Sequence, residues 1–359
     1  MKKLISLLFL LTTLVHFLYS QNNTPSEAIE YAKQGMKLAD QGNYAEAIVQ
    51  YKKGRTLAPD NSLFFYEIAL SYFSQKNYVS CIATLDSVIG RPDVNDQFYQ
   101  LLGASWDESG NRDTALLIFK KGMEKFPKAA NLSMECGVIE FAGKNFQAAR
   151  GYWINGTAMN PAFPDNYYHL AKFYADSADR IPSILYCETY LNLTRNTAQV
   201  AEINKLLCTL YGKCIQVLKD STIVLRFSDN DLFSQDNQDS VPDFCRAVKI
   251  TYQTVGNSIK DTRVKEGIDA VIMVRESFLK IWFGQKYHLK YPFSLFDYEK
   301  QLTDAGLFSA YSRWLLMKCD VFAFKQWVNE NKEPYAEFVD WYKKNPFNNT
   351  NIQAVHICK

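Results

Sequence analysis

The sequence predicts an all-α protein in which five helical hairpins stack and end in a capping helix, followed by a second, mostly helical domain. Three observations predict it. Small residues recur at a step of 34 residues, at Gly35, Ala69, Gly103, Gly137 and Ala171. Around them, apolar residues fall at the three- and four-residue spacing of amphipathic helices. Turn stretches recur in the same register: Gln41-Gly42-Asn43, Gln75-Lys76-Asn77, Ser109-Gly110-Asn111 and Gly143-Lys144-Asn145.

The chain opens with Lys2-Lys3, an apolar run from Leu4 to Tyr19, the small residue Ser20 and the polar Gln21-Asn22-Asn23. That is the layout of a secretory signal peptide over residues 1–20, and the run is short for a bilayer span. No Cys follows it for lipid attachment. A periplasmic or secreted protein is therefore expected, with no integral membrane span after cleavage. Without Lys2 and Lys3 the chain carries 38 basic and 38 acidic residues. So even a balance offers no electrostatic footing for nucleic acid or an anionic membrane. With 47% hydrophobic residues the chain can bury a large core.

The repeat holds at other positions. Twelve residues after the first set come Ala47, Cys81, Ala115, Ala149 and Ser183, all small. Four further on stand Tyr51, Leu85, Phe119, Trp153 and Cys187, mostly bulky. Pro59, Pro127 and Pro161 end the hairpins, with Pro92 one place early. The fourth repeat departs at Ser133 and Glu140, and the fifth has Pro182 early in its second helix.

This pattern resembles the tetratricopeptide repeat (TPR) family, most closely over Gly42–Asn61, and spans Ala28 to Leu193. The resemblance implies a right-handed superhelix whose concave groove is lined by the first helix of each hairpin. At the family's groove positions this chain has Tyr66, Leu70, Phe73, Met134, Val138, Phe141 and Tyr168. These are apolar and aromatic, suited to a partner helix or an extended apolar peptide. A clamp for a C-terminal carboxylate needs several charged or amide donors, and only Lys172 fits one.

Beyond the repeats, apolar residues from Val200 to Tyr211 mark a capping helix over Thr197–Leu218, so residues 27–218 read as the repeat domain and 219–359 as the C-terminal domain. There, Ile223-Val224-Leu225 is a short β-like run. The stretch from Asp229 to Asp239 is acidic but lacks the glycine and spaced Glu of a calcium loop, and reads as a solvated linker. One long helix is expected from Val264 to Trp282, and a capping box of Ser294 with Asp297 opens another that closes near Gly306. Asp320 caps the next, and Pro334 suits the first turn of the last. This domain resembles no family that its residues name.

The eight cysteines include no CxxC pair. Cys81, Cys136 and Cys187 fall on core positions, and Cys208 and Cys214 on a helix, so buried thiols are expected, with one bridge among Cys245, Cys319 and Cys358 left open. His169, His288 and His356 have no metal-ligand spacing, and neither GxSxG nor GxxxxGK[ST] occurs. No cofactor, metal or catalytic residue is expected. The leading reading is an exported, non-enzymatic scaffold of a bacterial cell envelope that binds a protein or peptide partner through its groove. Two alternatives stand beside it: an envelope enzyme in the C-terminal domain with the repeats as docking module, or a structural subunit of an envelope or secretion assembly.

Overall fold

The computed structural model describes residues 24–194, 198–218, 222–228, 243–259 and 267–349. The expected leader, the acidic stretch Asp229–Asp239, Val264, His356 and Cys358 lie outside the described residues. The chain forms two compact units, the first ending at Asn145 and the second beginning at Phe146. The domain boundary drawn from sequence after Leu218 thus falls inside the second unit.

The first unit is made of α1 (Ser26–Asp40), α2 (Tyr44–Leu57), α3 (Ser62–Ser74), α4 (Tyr78–Asp86), α5 (Asp96–Glu108), α6 (Arg112–Lys125) and α7 (Ala130–Ala142). Helices pair as α1/α2, α3/α4 and α5/α6, and each pair packs on the next through α2/α3, α4/α5 and α6/α7. The small repeat positions are needed because bulky rings fill the hairpin. A Cβ on Gly35 would lie 2.5 Å from the Tyr51 ring, and one on Gly103 would lie 2.2 Å from Phe119. Ala47, Cys81 and Ala115 are fully buried beside Tyr51, Leu85 and Phe119. The turn between paired helices is left-handed in every repeat of this unit. Gly42 and Gly110 occupy it with φ 80° and 92°, Lys76 and Lys144 with φ 61° and 64°. The Asn77 and Asn111 side chains then cap the next helix by accepting from the backbone of Ser80 and Thr114.

The second unit begins with α8 (Phe146–Met159), α9 (Asp165–Phe173), α10 (Ile181–Leu193) and α11 (Ala198–Cys214). Pro182 sits in the first turn of α10, where its missing N–H costs nothing. Every residue of α10 from Ile181 to Asn192 is buried. A helix enclosed on all sides is a central core element, not the outer layer of a stack. The capping helix expected to reach Leu218 stops at Cys214. Ile215–Val217 (β1) instead pairs antiparallel with Ile223–Leu225 (β2), because the β-branched Ile and Val prefer extended backbone once a partner strand is at hand.

Seven helices follow: α12 (Asp243–Ser258), α13 (Ile268–Gly284), α14 (Tyr287–Lys290), α15 (Ser294–Asp304), α16 (Phe308–Leu315), α17 (Val321–Glu330) and α18 (Lys332–Lys344). Their core is aromatic. Trp282 is fully buried, stacked on Phe278 and edge-on to Phe296. The helix expected to open at Ser294 is α15, which begins at Ser294 itself with Phe293 in the capping position. Gly306 closes the helix end with φ 72°, Asp320 accepts from the Ala323 N–H at 2.9 Å, and Pro334 lies in the first turn of α18.

A buried ionic cluster ties the fifth hairpin to this domain. The Arg275 guanidinium of α13 lies 3.2 Å from Glu188 of α10 and also bonds Glu299 of α15 and, at 2.7 Å, Ser312 of α16. Tyr211 of α11 donates to Glu188 at 2.7 Å. Two carboxyls share one guanidinium, and burial, the largest cause, raises the Glu299 carboxyl above its ordinary value to about 8. The cysteine expectation needs one correction. Cys208 is not a free thiol but is bonded to Cys319 with the Cα atoms 5.4 Å apart, because α11 and the turn before α17 are brought together by the fold. Cys81, Cys136, Cys187 and Cys214 are buried free thiols, and Cys245 is disulfide-bonded.

Candidate peptide-binding face

In the first unit the first helices form a wall: α3 packs beside α5, and α5 beside α7. Amide hydrogen bonds cross it, from Asn131 to Gln100 at 3.0 Å and from Gln100 to Glu135 at 2.9 Å. Equivalent repeat positions stand on the same face of successive helices, so a row read at a step of 34 residues runs across the wall. One row is Leu70, Ala104 and Val138, and the next is Phe73, Asp107 and Phe141.

The expected groove residues divide. Leu70, Phe73, Met134 and Val138 are half-buried, each with part of its surface in water, and Phe141 is 45% exposed. Tyr66 is a correction. It is 2% exposed and packs its ring 5.0 Å from Phe98, so it belongs to the core between hairpins. Tyr168 is another. It lies in the second unit, is buried, and donates its hydroxyl to Glu202 at 2.7 Å while accepting from Lys172 at 3.1 Å. A long aromatic ring at that position reaches the neighbouring helix and fills the space a shorter side chain would leave open. Lys172 is itself 2.6 Å from Glu202, so the one cation that suited a carboxylate clamp is already neutralised.

Sequence reasoning read Gln100 at a groove position and passed over Asp107, Glu108, Asn131 and Glu135 on this wall. The signal that could have found them is the charge of the first helices taken apart from the second. His169 is half-buried and stacked on Trp153 with ring centroids 4.9 Å apart, and loss of hydration lowers its pKa to about 4. It packs as a structural residue. The second unit also holds a cleft of about 670 Å³ beside the Cys208–Cys319 bridge, lined in part by Tyr211, Asp269, Arg313 and Phe324. The Arg313 guanidinium there is bound to Asp269 and lies over Trp327. Among the described residues no three His, Cys, Asp or Glu side chains converge as a metal site.

No family model matches the chain. It is 29% identical over 125 residues to the photosystem I assembly protein Ycf3 of Synechococcus elongatus, covering 31% of this chain and 70% of that protein. Among solved structures, TTC0263, a TPR protein of Thermus thermophilus, matches with a TM-score of 0.41 and 15% identity, over 50% of this chain and 98% of that one. PilF of Pseudomonas aeruginosa matches with a TM-score of 0.43 and 13% identity, over 52% of this chain and 84% of that one.

Proposed function

We propose, from the premise that this chain carries an array of tetratricopeptide repeats, that it is an exported scaffold binding a protein or peptide partner on the first-helix wall of its first unit. It does so by surface complementarity, without a chemical step. One observation carries this reading: Leu70, Phe73, Met134, Val138 and Phe141 keep apolar surface in water at repeat-equivalent positions. Apolar patches of this kind, one on α3 and one on α7, are costly to leave uncovered. Export rests on the leader-like N-terminus and gains support from the Cys208–Cys319 bridge, since disulfides persist mainly in oxidising compartments.

The test is crosslinked capture from the native host with the full chain, compared with a Leu70→Asp, Phe141→Asp variant that circular dichroism shows to be folded. A specific partner should be recovered with the parent protein and lost with the variant. Equal recovery would remove the wall from the binding site. Cell fractionation with N-terminal sequencing checks the compartment, and an intact Met1 in the cytoplasm would refute export.

A further inference from the structure

The wall's charge says what kind of partner it takes. Helices α3, α5 and α7 carry Asp96, Asp107, Glu108, Glu135 and Glu140 outside the core and no Lys or Arg, Glu67 of α3 being buried. The second helices α2 and α6 carry the opposite excess, with seven Lys or Arg between them against three acids. Acids therefore predominate on α3, α5 and α7, whereas the first helix α1 carries Lys33 and Lys37 and the second helix α4 carries Asp86 and no cation.

The acids concentrate on the third repeat. Asp107 takes the row position that Phe73 and Phe141 fill on either side, and Glu108 follows it. In the neighbouring row the third repeat has the buried Ala104 between Leu70 and Val138. The middle of the wall is therefore recessed and negative, with bulky apolar side chains flanking it. Both acids also end α5, where helix carbonyls already supply partial negative charge and a cation is favoured. Local compensation is partial. Arg112 lies 3.6 Å from Asp107 with its side chain 57% exposed, and Tyr78 donates to Glu108 at 3.3 Å. Partial burial raises the Asp107 carboxyl above its ordinary value. The turns after α3 and α7 carry Lys76 and Lys144, whereas the one after α5 carries Gly110.

We infer that the wall recognises an extended segment with one Lys or Arg between two apolar residues, the cation over Asp107 and Glu108 and the apolar side chains on Phe73 with Leu70 and on Phe141 with Val138. Packed helices lie about 10 Å apart and an extended chain advances about 3.3 Å per residue. The apolar residues should therefore stand roughly three positions from the cation. This inference rests on the groove reading above.

Fluorescence anisotropy with the full chain tests it, using labelled peptides Phe-Ala-Ala-Lys-Ala-Ala-Leu and the same sequence with Glu or Ala in the centre. The Lys peptide should bind about tenfold tighter than the Glu peptide at low salt, the gap narrowing at about 0.5 M salt as screening sets in. Asp107→Asn with Glu108→Gln should erase the gap and leave the Ala peptide's affinity within about twofold. If Lys and Glu peptides bind alike, or the gap survives that double substitution, the cation inference fails while the groove reading stands. If no peptide binds, or Phe73→Ser with Phe141→Ser changes nothing, both fail.

Discussion

Lys76 and Lys144 stand at the left-handed turn position that Gly42 and Gly110 occupy in the alternate repeats. A side chain there brings Cβ against the following carbonyl, at a cost of about 1–2 kcal/mol, partly offset because glycine loses more freedom on folding. Lys76→Gly should therefore stabilise the first unit by roughly 0.5–1 kcal/mol, read as a higher urea midpoint with unchanged slope. Gly103 is the opposite case. Phe119 fills the space its side chain would need, so Gly103→Val should cost about 1–3 kcal/mol in the same assay.

At the scale of elements, α10 decides how the fifth hairpin behaves. Its apolar residues run all round the helix, and Glu188 and Asn192 are buried among them. Asn192 donates to the Tyr311 hydroxyl at 2.8 Å, and Asn204 of α11 donates to the Leu315 carbonyl at 3.0 Å. These bonds and the Arg275 cluster hold α10 and α11 to α13, α15 and α16. Arg275→Met would leave Glu188 and Glu299 without their cation, and should destabilise the second unit by about 3–5 kcal/mol in urea unfolding. Glu299→Gln should cost much less, since burial already raises that carboxyl toward its neutral form and Gln keeps a hydrogen-bond acceptor for Arg275.

Across the molecule, buried titratable groups set how stability depends on pH. Burial raises Glu67 to about 7, Asp165 to about 6 and Glu299 to about 8. Each holds its proton in the folded chain after the unfolded chain has released it. Their stabilising contribution is complete below their unfolded pKa values near 4 and is lost as pH rises toward the folded values. His169, lowered to about 4, works the other way, losing stability as pH falls from about 6.5. The acids outnumber it, so Tm should fall between pH 5 and pH 8. Glu67→Gln and Glu299→Gln should flatten that slope, and a Tm that rises over the range would contradict the assignment. The Cys208–Cys319 bridge spans a sequence separation of 111. Cys319→Ser should lower the stability of the second unit by about 2–5 kcal/mol under oxidising conditions. The same change should have no effect in dithiothreitol.

The sequence by itself determined what repeats locally. The 34-residue step located the small and bulky core positions and the turns, because each hairpin's packing is a contact between residues close along the chain. Asp320 and Gly306 could be read for the same reason, as caps bond only their own helix. What only the tertiary structure decided are contacts between distant segments: Cys208 with Cys319, Glu188 with Arg275, and the enclosure of α10. Tyr66 and Tyr168 were misplaced for this reason, since an aromatic at a groove position reads the same whether water or a neighbouring helix meets its ring. The half-exposed residues from Leu70 to Phe141 were legible as a row of positions. How much of each side chain water reaches depends on what packs beside it, and that no local pattern encodes.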